Sequence, residues 1–220
     1  MLKSADFSAV VFDMDGLVLD TEAGYILAWR QAAGAMGYEL PEHAWRSLSG
    51  LHYAELKQKL ITWYGPGFNL EEFNQTAGRF WREQVNSHGI EVKHGFRELL
   101  EVITEQKIPF CLATNSLEGN ARECLDLAGL KDIFSTIIAR NHVQHAKPEP
   151  DIFLKAAALL HVEINRCLVI EDSHAGIEAA SRAGAFSVFI PSVFPVNPLT
   201  ADLCDLLMND LAQLADAMRA

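Results

Sequence analysis

Two pairs of neighbouring acids set the chemistry this chain can do: Asp13 with Asp15, and Glu171 with Asp172. Each pair closes an apolar run, Val10-Val11-Phe12 before the first and Cys167-Leu168-Val169-Ile170 before the second. Runs of this kind, bounded by turn residues, read as strands buried on both faces. Side chains at i and i+2 of a strand share a face, so Asp13 and Asp15 would point together from the strand's carboxyl end. Carboxylates held together away from water repel unless a cation or a shared proton intervenes. The pattern asks for a metal, for acid–base work, or for both. Carboxylates from two strand ends at one edge would make a hard oxygen site suited to Mg²⁺. The plainer reading of the second pair is company for Ser173 as the cap of a following helix.

Two further segments end at the same kind of edge. Cys111-Leu112-Ala113-Thr114-Asn115-Ser116 leads into a helical pattern, and a hydroxyl with backbone N–H groups at a helix start makes an anion site. Ser116 as a simple helix cap is the competing reading, compatible with phosphate binding by Thr114. In His145-Ala146-Lys147-Pro148-Glu149-Pro150-Asp151, two prolines stiffen the loop and launch a helix, which gives Lys147 a defined direction. A lysine in a loop is ordinarily a solvated charge. Held in place, it would bind a phosphate and offset the acids.

Buried strands are expected at Ala9–Phe12, Pro109–Ala113, Thr136–Ala139, Cys167–Ile170 and Phe186–Ile190, with amphipathic helices between most of them. Strands alternating with helices predict an α/β fold: a Rossmann-like, doubly wound parallel sheet. From about Val18 to Ile90 the rhythm changes to a helical one that holds Trp29, Trp45, Trp63 and Trp81, read as the core of a small bundle. The organisation predicted is a catalytic core of residues 1–17 and 91–220 with an inserted α-helical cap domain, 18–90, placed as a lid over the carboxylate edge.

Composition narrows the partners. Half the 220 residues are hydrophobic, so a sizeable core is expected. A formal net charge of -11 argues against nucleic acid or an anionic membrane as partner. Cys111, Cys124, Cys167 and Cys204 are scattered and read as reduced thiols. With neither a signal peptide nor a membrane span recognised in the sequence, the expectation is a cytoplasmic enzyme, a monomer or weak homodimer.

Taken together, Asp13-Met14-Asp15-Gly16, Thr114-Asn115-Ser116, Lys147-Pro148 and Glu171-Asp172-Ser173 resemble the four motifs of the haloacid dehalogenase-like hydrolase superfamily. Leu19-Asp20-Thr21-Glu22 and Gly176-Ile177-Glu178-Ala179-Ala180 bring the chain close to its β-phosphoglucomutase-like branch. The resemblance implies that Asp13 is a nucleophile forming an aspartyl-phosphate and Asp15 the general acid/base. Thr114 and Lys147 would hold the transferring phosphoryl group. Mg²⁺ would be ligated by Asp13, the Asp15 backbone carbonyl and Asp172, with Glu171 nearby or ligating through water. Asn115, Ser116 and, from the cap, His52 are the substrate-binding candidates; for His52 a surface residue is the competing reading. The expected activity is a Mg²⁺-dependent phosphomonoester hydrolase for a small phosphorylated metabolite such as a sugar phosphate. A β-phosphoglucomutase-type mutase is the alternative, with a binding or regulatory member of the family behind it. The mutases carry a cap histidine and a cap arginine where Tyr25 and Tyr53 fall here, which favours the hydrolase.

Overall fold

The computed structural model describes residues 7–39, 41, 44–45, 48 and 53–219. At its centre β1 (Ala9–Phe12) is buried at every position. On one side it pairs in parallel with β2 (Phe110–Ala113), which pairs with β3 (Ile137–Ile138). On the other side lie β4 (Cys167–Glu171), β5 (Phe186–Phe189) and β6 (Leu206–Leu207), all parallel, giving the order β3-β2-β1-β4-β5-β6. The order reverses between β1 and β4, the switch point where open α/β sheets bind ligands outside the strands' carboxyl ends. Register places Val10 against Leu168 and Phe12 against Ile170, and Asp13 N donates to Ile170 O at 3.0 Å. Asp13 and Glu171 therefore leave the sheet side by side.

Among the described residues after β1 are the helices α1 (Glu22–Ala35), α2 (Tyr53–Tyr64) and α3 (Leu70–His88). They belong to a compact unit, Asp20–Ile90, with its own core of Ala32, Trp45, Leu60, Phe68 and Phe73, against which Trp29 and Trp63 pack. Asn69 starts α3 by accepting from Glu72 N, and Gly89, at φ +74°, follows its end. Val18 and Leu19 stay with the sheet: Gly16 N donates to Leu19 O at 2.9 Å, and Lys93 N to Val18 O at 2.9 Å.

Helices α4 (Phe96–Glu105), α5 (Glu118–Leu127), α6 (Asp151–Leu159), α7 (His174–Ala183), α8 (Pro198–Leu203) and α9 (Leu211–Arg219) complete the sheet unit. Strand alternation divides the core by face. Ala9, Val11, Cys111, Ala113, Cys167 and Val169 pack with Ile152, Phe153 and Ala156 of α6 and Ala179, Ala180 and Ala183 of α7. On the opposite face Phe12 meets Phe96 at 5.7 Å and Phe134 at 5.9 Å between ring centroids. Gly95, at φ +84°, lets α4 approach α9 closely, because a Cβ there would land on Ala212 N. The cysteines are free, and burial raises the thiol pKa of Cys111, Cys124 and Cys167. No helix among the described residues is long and apolar enough to cross a membrane.

Candidate active site

Lys147 is the organising cation. It is 3% exposed, and its ammonium donates to Asp13 Oδ1 at 2.5 Å, Glu171 Oε1 at 2.5 Å and Ala113 O at 2.8 Å. Three acceptors match the three donors of an ammonium group, so the side chain is fixed in direction. Its stem runs by Phe153, whose ring centre lies 5.1 Å from Nζ. Glu171, fully buried, uses its other oxygen to accept from Ser173 N at 3.3 Å and Ser173 Oγ at 3.0 Å. Ser173 in turn caps α7, accepting from Gly176 N at 3.1 Å.

Asp13, Glu171 and Asp172 each bring a carboxylate oxygen within 4.8 Å of the others. Two glycines make room for them. At Gly16, with φ +84°, a Cβ would fall on Asp172 Oδ2, and at Gly176 it would fall on the Glu171 carboxylate. Burial pushes the Asp13 carboxyl up to about 8, opposed by Lys147 and reinforced by Glu171 and Asp15. Burial also works to lower Lys147, but Asp13 and Glu171 outweigh it and raise its pKa, keeping it charged. Burial is the main cause of the raised Asp13 value, and the one lysine does not offset it while Glu171 and Asp15 add to it. A hard dication would supply the missing charge, and an all-oxygen set at this spacing fits Mg²⁺ chemically.

Asp15 stands apart from that cluster. Its Oδ2 accepts from Ser116 Oγ at 2.8 Å and from Thr114 Oγ1 at 3.4 Å, while Ser116 N donates to Thr114 Oγ1 at 3.0 Å. Ser116 therefore does not cap α5, as one reading of the sequence had it. The cap position is Leu117, without a side-chain bond, and Asn141 reaches over to accept from Glu118 N at 3.0 Å. Ser116 O is held by Arg140 N at 3.0 Å. His142 Nδ1 accepts from Ala139 N at 3.2 Å, and its Nε2 lies 2.9 Å from Glu118 Oε2.

Asn115, read from the sequence as a substrate contact, pairs here with the backbone of Lys147: Lys147 N donates to Oδ1 at 3.0 Å, and Nδ2 donates to Lys147 O at 3.2 Å. The loop continues through a cis Lys147–Pro148 bond to Glu149, which Arg182 of α7 holds at 2.8 Å. His174 turns to Thr200 Oγ1 at 2.8 Å. In the helical unit Tyr25 stacks between Trp29 at 6.1 Å and Trp81 at 5.5 Å. His52 lies outside the described residues, and the side chain of Tyr53 is not described.

Some site residues escaped the sequence reading. Gly176 and Ser173 lie within sequence motifs, but nothing local in the sequence shows that both face the Glu171 carboxylate. Asn141 and Arg182 act across 23 and 33 positions, and no local pattern signals that.

The sheet order and the carboxylates at its switch point define a doubly wound α/β protein with an acidic site at the strands' carboxyl edge. The chain belongs to the haloacid dehalogenase-like hydrolase family, whose profile matches residues 10–190. It is 32% identical over 181 residues to a phosphorylated carbohydrates phosphatase of Thermotoga maritima, covering 82% of this chain and 83% of the relative. It is 31% identical over 185 residues to the fructose-1-phosphate phosphatase YqaB of Escherichia coli, covering 83% and 95%. Among solved structures, a β-phosphoglucomutase of Clostridium difficile superposes with a TM-score of 0.74 at 27% identity, covering 94% of this chain and 93% of the other.

Proposed function

We propose that this protein is a Mg²⁺-dependent phosphomonoester hydrolase acting on a small sugar phosphate or similar metabolite through an aspartyl-phosphate at Asp13. The observation that carries the reading is Asp13 itself, a buried acid held at 2.5 Å by a fully saturated lysine at the sheet's switch point. The named phosphatases among the relatives support the substrate class. The unit Asp20–Ile90 is read as the helical cap, two residues shorter than the 18–90 expected from the sequence, and the protein as a cytoplasmic monomer or weak homodimer.

Asp13 would attack phosphorus in line, with Lys147 fixing one of its oxygens. As the new O–P bond forms, the P–O bond to the leaving alcohol breaks and protonated Asp15 gives its proton to that oxygen. Asp15 then takes a proton from water, which attacks phosphorus and returns Asp13 as a carboxylate. Ser116 and Thr114, which donate to the Asp15 carboxylate, would orient it for these proton transfers. Phosphorylation removes the negative charge of the Asp13 carboxylate, which frees a Lys147 donor for the phosphoryl oxygens. Mg²⁺ held by Asp13, Asp172 and the Asp15 carbonyl would neutralise the two anions that must meet. Glu171, with both oxygens already committed to Lys147 and Ser173, serves as the lysine's holder.

The likeness to β-phosphoglucomutase favours one second reading, return of the phosphoryl group to another hydroxyl of the same sugar. A panel of hexose, pentose and triose phosphates, assayed with Mg²⁺ and with chelator, separates the two. The hydrolase reading predicts Mg²⁺-dependent release of inorganic phosphate from one group of esters. Isomerised sugar phosphate without phosphate release contradicts it.

A further inference from the structure

Lys147 has to place its ammonium between three acceptors, yet its backbone lies in a turn, outside every helix and strand. Neither its N–H nor its C=O joins a ladder. Both go to one side chain, the amide of Asn115, at 3.0 and 3.2 Å. An amide that accepts from N–H and donates to C=O of one residue replaces the missing strand neighbour. Asn115 stands two residues beyond the end of β2, whose Ala113 carbonyl is itself a Lys147 acceptor. The lysine is thus tied at both ends to the same strand terminus, by its backbone through Asn115 and by its ammonium through Ala113.

The neighbours of Asn115 face another task. Thr114 and Ser116, at i−1 and i+1, both donate to Asp15 Oδ2. Three consecutive residues just past β2 therefore align the site's proton handler and its phosphate handler. With Oδ1 and an Nδ2 proton committed to Lys147, the amide is poorly placed to serve a substrate as well.

We infer that Asn115 is a positioning residue that acts through Lys147 and does not contact the substrate. The inference rests on the reading of Lys147 as the phosphoryl-holding lysine. Displacement of a catalytic group by about 1 Å lowers rates by about a hundredfold, while binding that draws on the rest of the substrate changes less.

The test is a cycle of four proteins: the unaltered chain, Asn115→Ala, Lys147→Ala and the double variant, with phosphate release measured on the best ester of the panel. The same four are followed by amide hydrogen exchange. Asn115→Ala is expected to lower kcat by about tenfold to a hundredfold with KM nearly unchanged. In the Lys147→Ala background the same change should alter kcat/KM by less than about threefold. Exchange at the Lys147 amide should quicken in Asn115→Ala, while the amides of Leu112 and Thr114 stay protected. Losses that multiply in the double variant overturn the inference, because Asn115 then acts independently of Lys147. An unchanged Lys147 exchange rate overturns it equally. If the unaltered chain hydrolyses no ester, the proposed function fails by itself, and the exchange result still decides whether the clamp exists.

Discussion

Gly176 sits in the first turn of α7, where helix propensity alone favours alanine by about 0.5–1 kcal/mol. The structure predicts the opposite for Gly176→Ala. The added Cβ would fall on the Glu171 carboxylate, which is fully buried and has no solvent to move into. Glu171 accepts from Lys147 Nζ, Ser173 N and Ser173 Oγ. Hydrogen bonds to a charged group contribute about 1.5–3 kcal/mol each, and overpacking a core costs about 1–3 kcal/mol. Loss of one such bond plus part of the packing strain, less the propensity gain, leaves a destabilisation of about 2–4 kcal/mol. For a chain of this size that lowers Tm by about 4–16 °C. Gly119→Ala is the control, since a Cβ there meets nothing within 4 Å; it should hold or raise stability by about 0.5 kcal/mol. Calorimetry and urea titration of both variants, with phosphate release beside them, measure the difference. A Gly176→Ala protein as stable as the unaltered chain would refute the packing argument around Glu171.

Three other perturbations have defined outcomes. Ser116→Ala removes the 2.8 Å bond to Asp15 and should lower kcat by about tenfold to a hundredfold with little change in KM; an unchanged kcat would deny Ser116 any hold on the acid/base. Mg²⁺ competes with the proton on Asp13, whose pKa burial raises to about 8, so the Mg²⁺-induced rise in Tm should grow between about pH 6 and pH 9 and vanish with chelator. A shift independent of pH would place the ion away from Asp13. Gly95→Ala combines a positive φ with a Cβ on Ala212 N, and should destabilise by about 2 kcal/mol or more while activity per folded molecule stays level. Activity lost with stability intact would refute a purely packing role.

Much of the sheet was legible because parallel strands buried on both faces are continuous apolar runs, as in Val10–Phe12 and Cys167–Ile170. Asp13, Lys147 and Glu171 were legible as candidates, since acids closing such runs and a lysine between prolines are local patterns. Their partnership was not. The Asn115 amide spans 32 positions to reach Lys147, and nothing in a polar Asn after Thr114 distinguishes that duty from substrate binding. Ser116 looked like a cap because serine before a helix ordinarily is one, and tertiary contact with Asp15 overrode the preference. Helix α8 and strand β6 went unread because the stretch 191–207 mixes prolines, acids and exposed leucines without a clean period, whereas α9 carries a helical period at Leu211, Leu214, Ala215 and Met218 that the sequence reading leaves out.

The central claim is that phosphorus passes through a covalent bond to Asp13, and chemical trapping tests it most directly. Sodium borohydride reduces an acyl phosphate to an alcohol, so quenching turnover with it and mapping peptides by mass spectrometry reads the site. The account predicts homoserine at position 13, dependent on both substrate and Mg²⁺ and absent from the Asp13→Asn variant. Turnover that leaves Asp13 unreduced in repeated quenches, or that survives Asp13→Asn, would contradict it.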